Sequence, residues 1–88
     1  MSINSELLIV LPAEVALHAR PAGAFVKAAM GFKSRITVIH GDKEADAKSI
    51  LSVLALGAEG GSQIRIRAEG DDAAAALQAI SNWSAGLE

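Results

Sequence analysis

Apolar and polar positions follow two different periods along this chain, and the switches between them mark its elements. Leu7-Leu8-Ile9-Val10-Leu11 is an unbroken apolar run, too short for a helix, rich in β-formers and closed by Pro12. It predicts a strand covered on much of both faces. Beyond a loop from Pro12 to Leu17, the residues Ala22, Phe25, Val26, Ala29 and Met30 recur at i, i+3, i+4, i+7 and i+8, with Gly31 as the stop. That is one face of a helix, and Lys27 points away from it.

Arg35 to Ile39 predicts a second strand with Ile36 and Val38 on one face, and Gly41 supplies a turn into a short strand from Lys43 to Ala47. Ser49 to Gly57 predicts a short helix that is apolar nearly all round, with Ser49 as its N-cap and Gly57 as its stop. After the loop Glu59 to Ser62, the stretch Gln63 to Glu69 alternates strictly, with Ile64, Ile66 and Ala68 inward. Asp71 and Asp72 then open a helix in keeping with the helix dipole, and Ala73, Ala76, Leu77, Ile80, Trp83 and Leu87 form its stripe.

The order β-α-β-β-α-β-α implies an α/β (α+β) open-faced sandwich: a four-stranded, mainly antiparallel sheet with three helices on one face and water on the other. At 88 residues the chain is read as a single domain, residues 1–88. It has no cysteine, eight Lys+Arg against ten Asp+Glu, and only two histidines. These numbers give no basis for disulfides, a thiolate metal site or a histidine metal cluster, nor for the basic excess of a nucleic-acid binder. The apolar runs are far shorter than a bilayer span, and the first residues lack the basic segment of a signal peptide. The expectation is a cytoplasmic protein with no membrane insertion.

The chemistry concentrates at Ala16-Leu17-His18-Ala19-Arg20-Pro21-Ala22. Pro21 suits a first helical turn, where a missing N–H costs little, and this places His18 at the N-cap. The free N–H groups of a helix start, with the Arg20 guanidinium nearby, suit an anion such as phosphate. Both also disfavour a second positive charge, keeping the imidazole neutral and nucleophilic. By contrast, His40 at the hairpin turn is expected to be simply exposed, Arg65, Arg67 and Glu69 to serve solubility on the wet face, and Trp83 to be core.

Leu17-His18-Ala19-Arg20-Pro21-Ala22 followed, some thirty residues later, by Lys48-Ser49-Ile50 and Leu56-Gly57 resembles the HPr family. These are the histidine-containing phosphocarriers of the bacterial phosphoenolpyruvate-dependent sugar phosphotransferase system, and the resemblance spans essentially the whole chain. It implies that His18 accepts a phosphoryl group on Nδ1 from phosphorylated Enzyme I and donates it to sugar-specific IIA proteins. Arg20 would stabilise that group. Lys27 and Lys48 match basic positions at a partner-binding rim, and Ile50, Leu51 and Leu54 would form a partly exposed apolar docking patch. Ser49 matches a regulatory serine that an ATP-dependent HPr kinase/phosphorylase modifies in some bacteria.

The chain departs from the family pattern before the histidine, where Val15 and Ala16 replace a small polar residue and Gly, and Glu14 adds a negative charge expected to face solvent. The implied protein is a monomeric carrier, not a turnover enzyme, needing no metal or cofactor. Alternatives are a carrier of a nitrogen-related or dihydroxyacetone branch, or a regulatory module whose Ser49-phosphorylated form docks on a transcriptional regulator. A hydrolase using His18 as base has no recognisable nucleophile or carboxylate partner.

Overall fold

The computed structural model describes residues 4–12 and 19–87. The elements run β1 (Asn4–Val10), α1 (Ala19–Met30), β2 (Arg35–His40), β3 (Lys43–Asp46), α2 (Ile50–Ala55), β4 (Gln63–Glu69) and α3 (Ala73–Ala85). The strands form one sheet in the order β1-β4-β2-β3, with every neighbouring pair antiparallel. This is the open-faced sandwich that the alternation of periods implies.

Ile9 and Ile64 are paired, as are Ile66 and Val38, Ile36 and Ala68, and Val38 and Ala45. All are buried, so these pairings put one continuous apolar face under the helices. From above, Ala22, Phe25, Val26 and Ala29 of α1, Val53 of α2, and Ala73, Ala76 and Ile80 of α3 close the core. Leu77, Trp83 and Leu87 pack on it while remaining half-buried.

Two expectations from the apolar pattern need correction. The run Leu7 to Leu11 is not covered on both faces: Ile9 and Leu11 are buried, but Leu8 and Val10 are 60% and 64% exposed. All three helices lie against the opposite side, so alternate residues of β1 meet water even though they are apolar. Met30 likewise continues the apolar spacing of α1 but is exposed. It is the last residue of the helix, and the chain turns at Gly31.

Asp71 and Asp72 are not in the first turn of α3; they precede it, and Asp72 makes no side-chain cap. Its carboxylate instead accepts the N–H groups of Lys33 at 2.8 Å and Ser34 at 2.9 Å, together with the Ser34 hydroxyl. The turn after α1 is thereby tied to the turn before α3. The Ser34 hydroxyl, then the Lys33 N–H, hold the Asp72 carboxyl below its ordinary value. Arg67 is also more than a solvated cation, being half-buried, with its guanidinium 3.2 Å from Glu44 and 3.6 Å from Glu69.

Candidate functional site

His18, Glu14, Val15 and Ala16 lie outside the described residues. From Ala19 onward the chain is placed: α1 begins there, and Pro21 is its third residue. With φ fixed and no N–H to satisfy, Pro21 fits this turn at little cost. Arg20 is exposed at the helix start, and Lys27 is exposed in its last turn.

The first turn of α1 is held from behind. The indole Nε1 of Trp83, on α3, donates to the carbonyl of Pro21 at 3.0 Å, and its ring meets Phe25 with centroids 5.0 Å apart at 60°. A buried indole N–H needs an acceptor, and this one finds it on the element that carries Arg20. Trp83 is therefore half-buried and bonded, where the helical stripe alone had implied core. Nothing in the local sequence signals this bond, because its partners are 62 positions apart.

α2 packs beside α1. It starts because Ser49, in extended conformation, accepts the N–H of Ser52 at 3.4 Å on its side-chain oxygen. It stops because Gly57, at φ 64°, turns the chain and returns its N–H to the Leu54 carbonyl at 3.2 Å. Six residues cannot turn every apolar side chain inward. Val53 and the adjoining Leu56 are buried and Leu54 is half-buried, whereas Ile50 is 37% and Leu51 77% exposed.

Two polar contacts brace this helix. Lys48 is half-buried, and its ammonium donates to the Phe32 carbonyl at 2.6 Å, joining the approach to α2 to the turn after α1. Its charge is thus already engaged by a carbonyl. His40 departs from the exposed turn residue expected: it is half-buried, with Nδ1 3.2 Å from the Leu56 carbonyl at the end of α2. The short hairpin brings the end of β2 back under α2, which the sequence pattern at the turn does not reveal.

Arg20, Lys27, Ile50 and Leu51 are therefore exposed on the adjacent pair α1 and α2, while Ser49 and Lys48 are half-buried between turns. The free N–H groups of a helix start together with an exposed guanidinium suit an anion. The neighbouring apolar side chains suit a protein partner. Among the described residues, no group of three or more His, Cys, Asp or Glu could hold a metal ion, and no helix is long and apolar enough to cross a membrane.

Comparison with known proteins agrees with this arrangement. The family model described as the PTS HPr component phosphorylation site matches residues 6–85. Phosphocarrier protein HPr of Mycoplasma capricolum subsp. capricolum is 46% identical over 67 residues, covering 76% of this chain and 75% of that protein. The HPr of Buchnera aphidicola is 43% identical over 65 residues, covering 74% and 76%. Among solved structures, HPr from Thermoanaerobacter tengcongensis superposes with a TM-score of 0.89 at 36% identity, covering 94% of this chain and 93% of that one. The chain belongs to the HPr family of phosphocarrier components of the phosphotransferase system, which carry a phosphoryl group and are not turnover catalysts.

Proposed function

We propose that this chain accepts a phosphoryl group on Nδ1 of His18 from phosphorylated Enzyme I and passes it to IIA proteins in the cytoplasm. The observation that carries this reading is the start of α1 at Ala19, one residue after His18, with Arg20 exposed in the first turn of a chain of this family. A neutral imidazole nitrogen attacks the phosphorus of the donor's phosphohistidine. The N–P bond to the donor breaks as the new one forms, and the donor imidazole leaves with the electron pair. Arg20 and the free N–H groups of α1 stabilise the oxygens of the transferred group.

Docking falls to the exposed parts of α1 and α2. Ile50 and Leu51, with the accessible part of Leu54, supply the apolar contact, and Lys27 faces an acidic partner surface. Lys48 contributes mainly by bracing α2 through Phe32. Phosphorylation of Ser49 by a kinase would replace its contact with Ser52 and put negative charge beside Ile50 and Leu51, disfavouring an acidic partner.

The test is incubation with phosphoenolpyruvate and Enzyme I followed by intact mass and acid treatment. The expected product is an acid-labile phosphoryl adduct that is absent in His18→Ala. A wild-type chain left unmodified, under conditions that label a control carrier, overturns the reading.

A further inference from the structure

Trp83 is the only tryptophan of the chain, which also lacks tyrosine. The sequence offers no reason for an indole near the end of α3 beyond filling the helical stripe. Another large apolar side chain would fill that space, but none has an N–H to donate. In the structure that N–H reaches back across 62 positions to the Pro21 carbonyl at 3.0 Å, while the ring leans on Phe25. Pro21 and Phe25 stand four apart on α1, so a single side chain grips two successive turns of the helix on one face. The Pro21 carbonyl is also the one that an α-helix offers to the N–H at Phe25, so the indole takes its second lone pair.

We infer that Trp83 is a positioning residue for phosphoryl transfer: its indole clamp fixes the first turn of α1, and with it Arg20 and the N–H groups that receive the transferred group. This deepens the carrier reading and rests on it. The turn most in need of fixing is the least supported by its own helix, because its N–H groups lack intrahelical partners and Pro21 has none at all. Donors aimed at a developing charge lose effect when displaced by a fraction of an ångström. A hydrogen bond from α3 supplies the constraint without occupying the exposed side where a partner docks. The relation runs both ways, so a phosphoryl group drawn onto the start of α1 alters the surroundings of the indole.

The experiment compares the wild-type chain with Trp83→Phe, which keeps an aromatic ring at this position but loses the N–H along with part of the indole's volume, so that thermal unfolding is needed to register the packing loss. Thermal unfolding is measured alongside steady-state transfer from phospho-Enzyme I and the lifetime of the adduct. The expected result is a folded variant with an unchanged KM, since Lys27, Ile50 and Leu51 are untouched, and a kcat lower by about two- to tenfold, the equivalent of one hydrogen bond. A purely structural tryptophan would instead lower Tm and leave the kcat of Enzyme I with the folded variant as acceptor unchanged, and that result overturns the inference.

Wild-type emission provides a second readout that does not need the variant to fold. Phosphorylation should shift or quench Trp83 fluorescence, and acid release of the phosphoryl group should restore it on return to neutral pH. A labelled chain with unchanged emission overturns the clamp while leaving the carrier reading intact. A wild-type chain that takes no phosphoryl group overturns both.

Discussion

The carboxylate of Asp72 and the buried Ser34 form a double link, the Ser34 N–H donating at 2.9 Å and the Ser34 hydroxyl donating to the same oxygen. With the Lys33 N–H on the other oxygen, this one side chain takes up the last two backbone donors of the turn between α1 and β2. These donors would otherwise lack partners at a place where the chain reverses.

The link makes stability pH-dependent in a defined direction. The Asp72 carboxyl is held below its ordinary value of 3.8, chiefly by the Ser34 hydroxyl. A carboxyl depressed in the folded state contributes stability that is present above its unfolded pKa and lost as pH falls through the folded value. Asp72→Asn should therefore lower Tm near neutrality, and the two unfolding curves should converge as pH falls below the ordinary carboxyl value of 3.8 and the Asp72 carboxylate takes up a proton. Thermal melts from neutral to acid pH check this. A Tm difference that stays constant across that range would show that the charge of Asp72 is not the source.

Gly70 governs the same junction from the other side. Its φ is 143°, and a Cβ there would stand 2.6 Å from the Ser34 hydroxyl oxygen and 3.0 Å from the Ser34 Cα. The Ser34 hydroxyl is committed to Asp72 and the Cα belongs to the backbone, so neither can yield cheaply. Gly70→Ala should cost about 2–4 kcal/mol, combining strained backbone with displacement of the turn. Denaturant unfolding measures it, and a loss under about 0.5 kcal/mol, the level of an ordinary surface change, would refute the close approach.

The parts of this molecule that the sequence makes legible are those governed by neighbours in the chain. Ile64, Ile66 and Ala68 announce a one-faced strand, Ser49 and Gly57 bracket α2, and Pro21 marks the start of α1, because period and cap chemistry act within a few residues. The errors share one cause. Leu8 and Val10 have the same character as Ile9, and only the placement of all three helices on one side decides which of them meets water. Trp83 on Pro21, Asp72 on Ser34 and His40 on Leu56 are separated by 62, 38 and 16 positions, so no local pattern announces them. Family motifs point to particular residues, but the side chains that brace the start of α1 and the turns around it become visible only in three dimensions.

Ser49 serves α2 before any modification. Its side-chain oxygen accepts the Ser52 N–H at 3.4 Å, a long bond, so Ser49→Ala should cost about 0.5–1 kcal/mol, toward the low end for a cap. Ser49→Asp retains an acceptor and should recover that stability, yet it places negative charge beside Ile50 and Leu51. Unfolding curves and donor KM, measured on both variants, separate the two effects. If Ser49→Asp docks like the wild type, charge at this position does not regulate the carrier.

Leu51 tests whether the exposed face of α2 exists for partners. It is 77% exposed on a helix whose Val53 is fully buried, so the fold gains little from the Leu51 side chain. Alanine is the better helix former, and Leu51→Ala should leave stability within about 0.5 kcal/mol of the wild type. Val53→Ala removes packed methyl groups and should cost about 1–3 kcal/mol. The order reverses for docking. A leucine covered on binding contributes about 1–2 kcal/mol more than alanine, so Leu51→Ala should raise the KM for phospho-Enzyme I by roughly 5- to 30-fold with kcat little changed. Val53→Ala, folded at a temperature below its Tm, should keep a near wild-type KM. A Leu51→Ala carrier with unaltered KM would move the docking surface off α2.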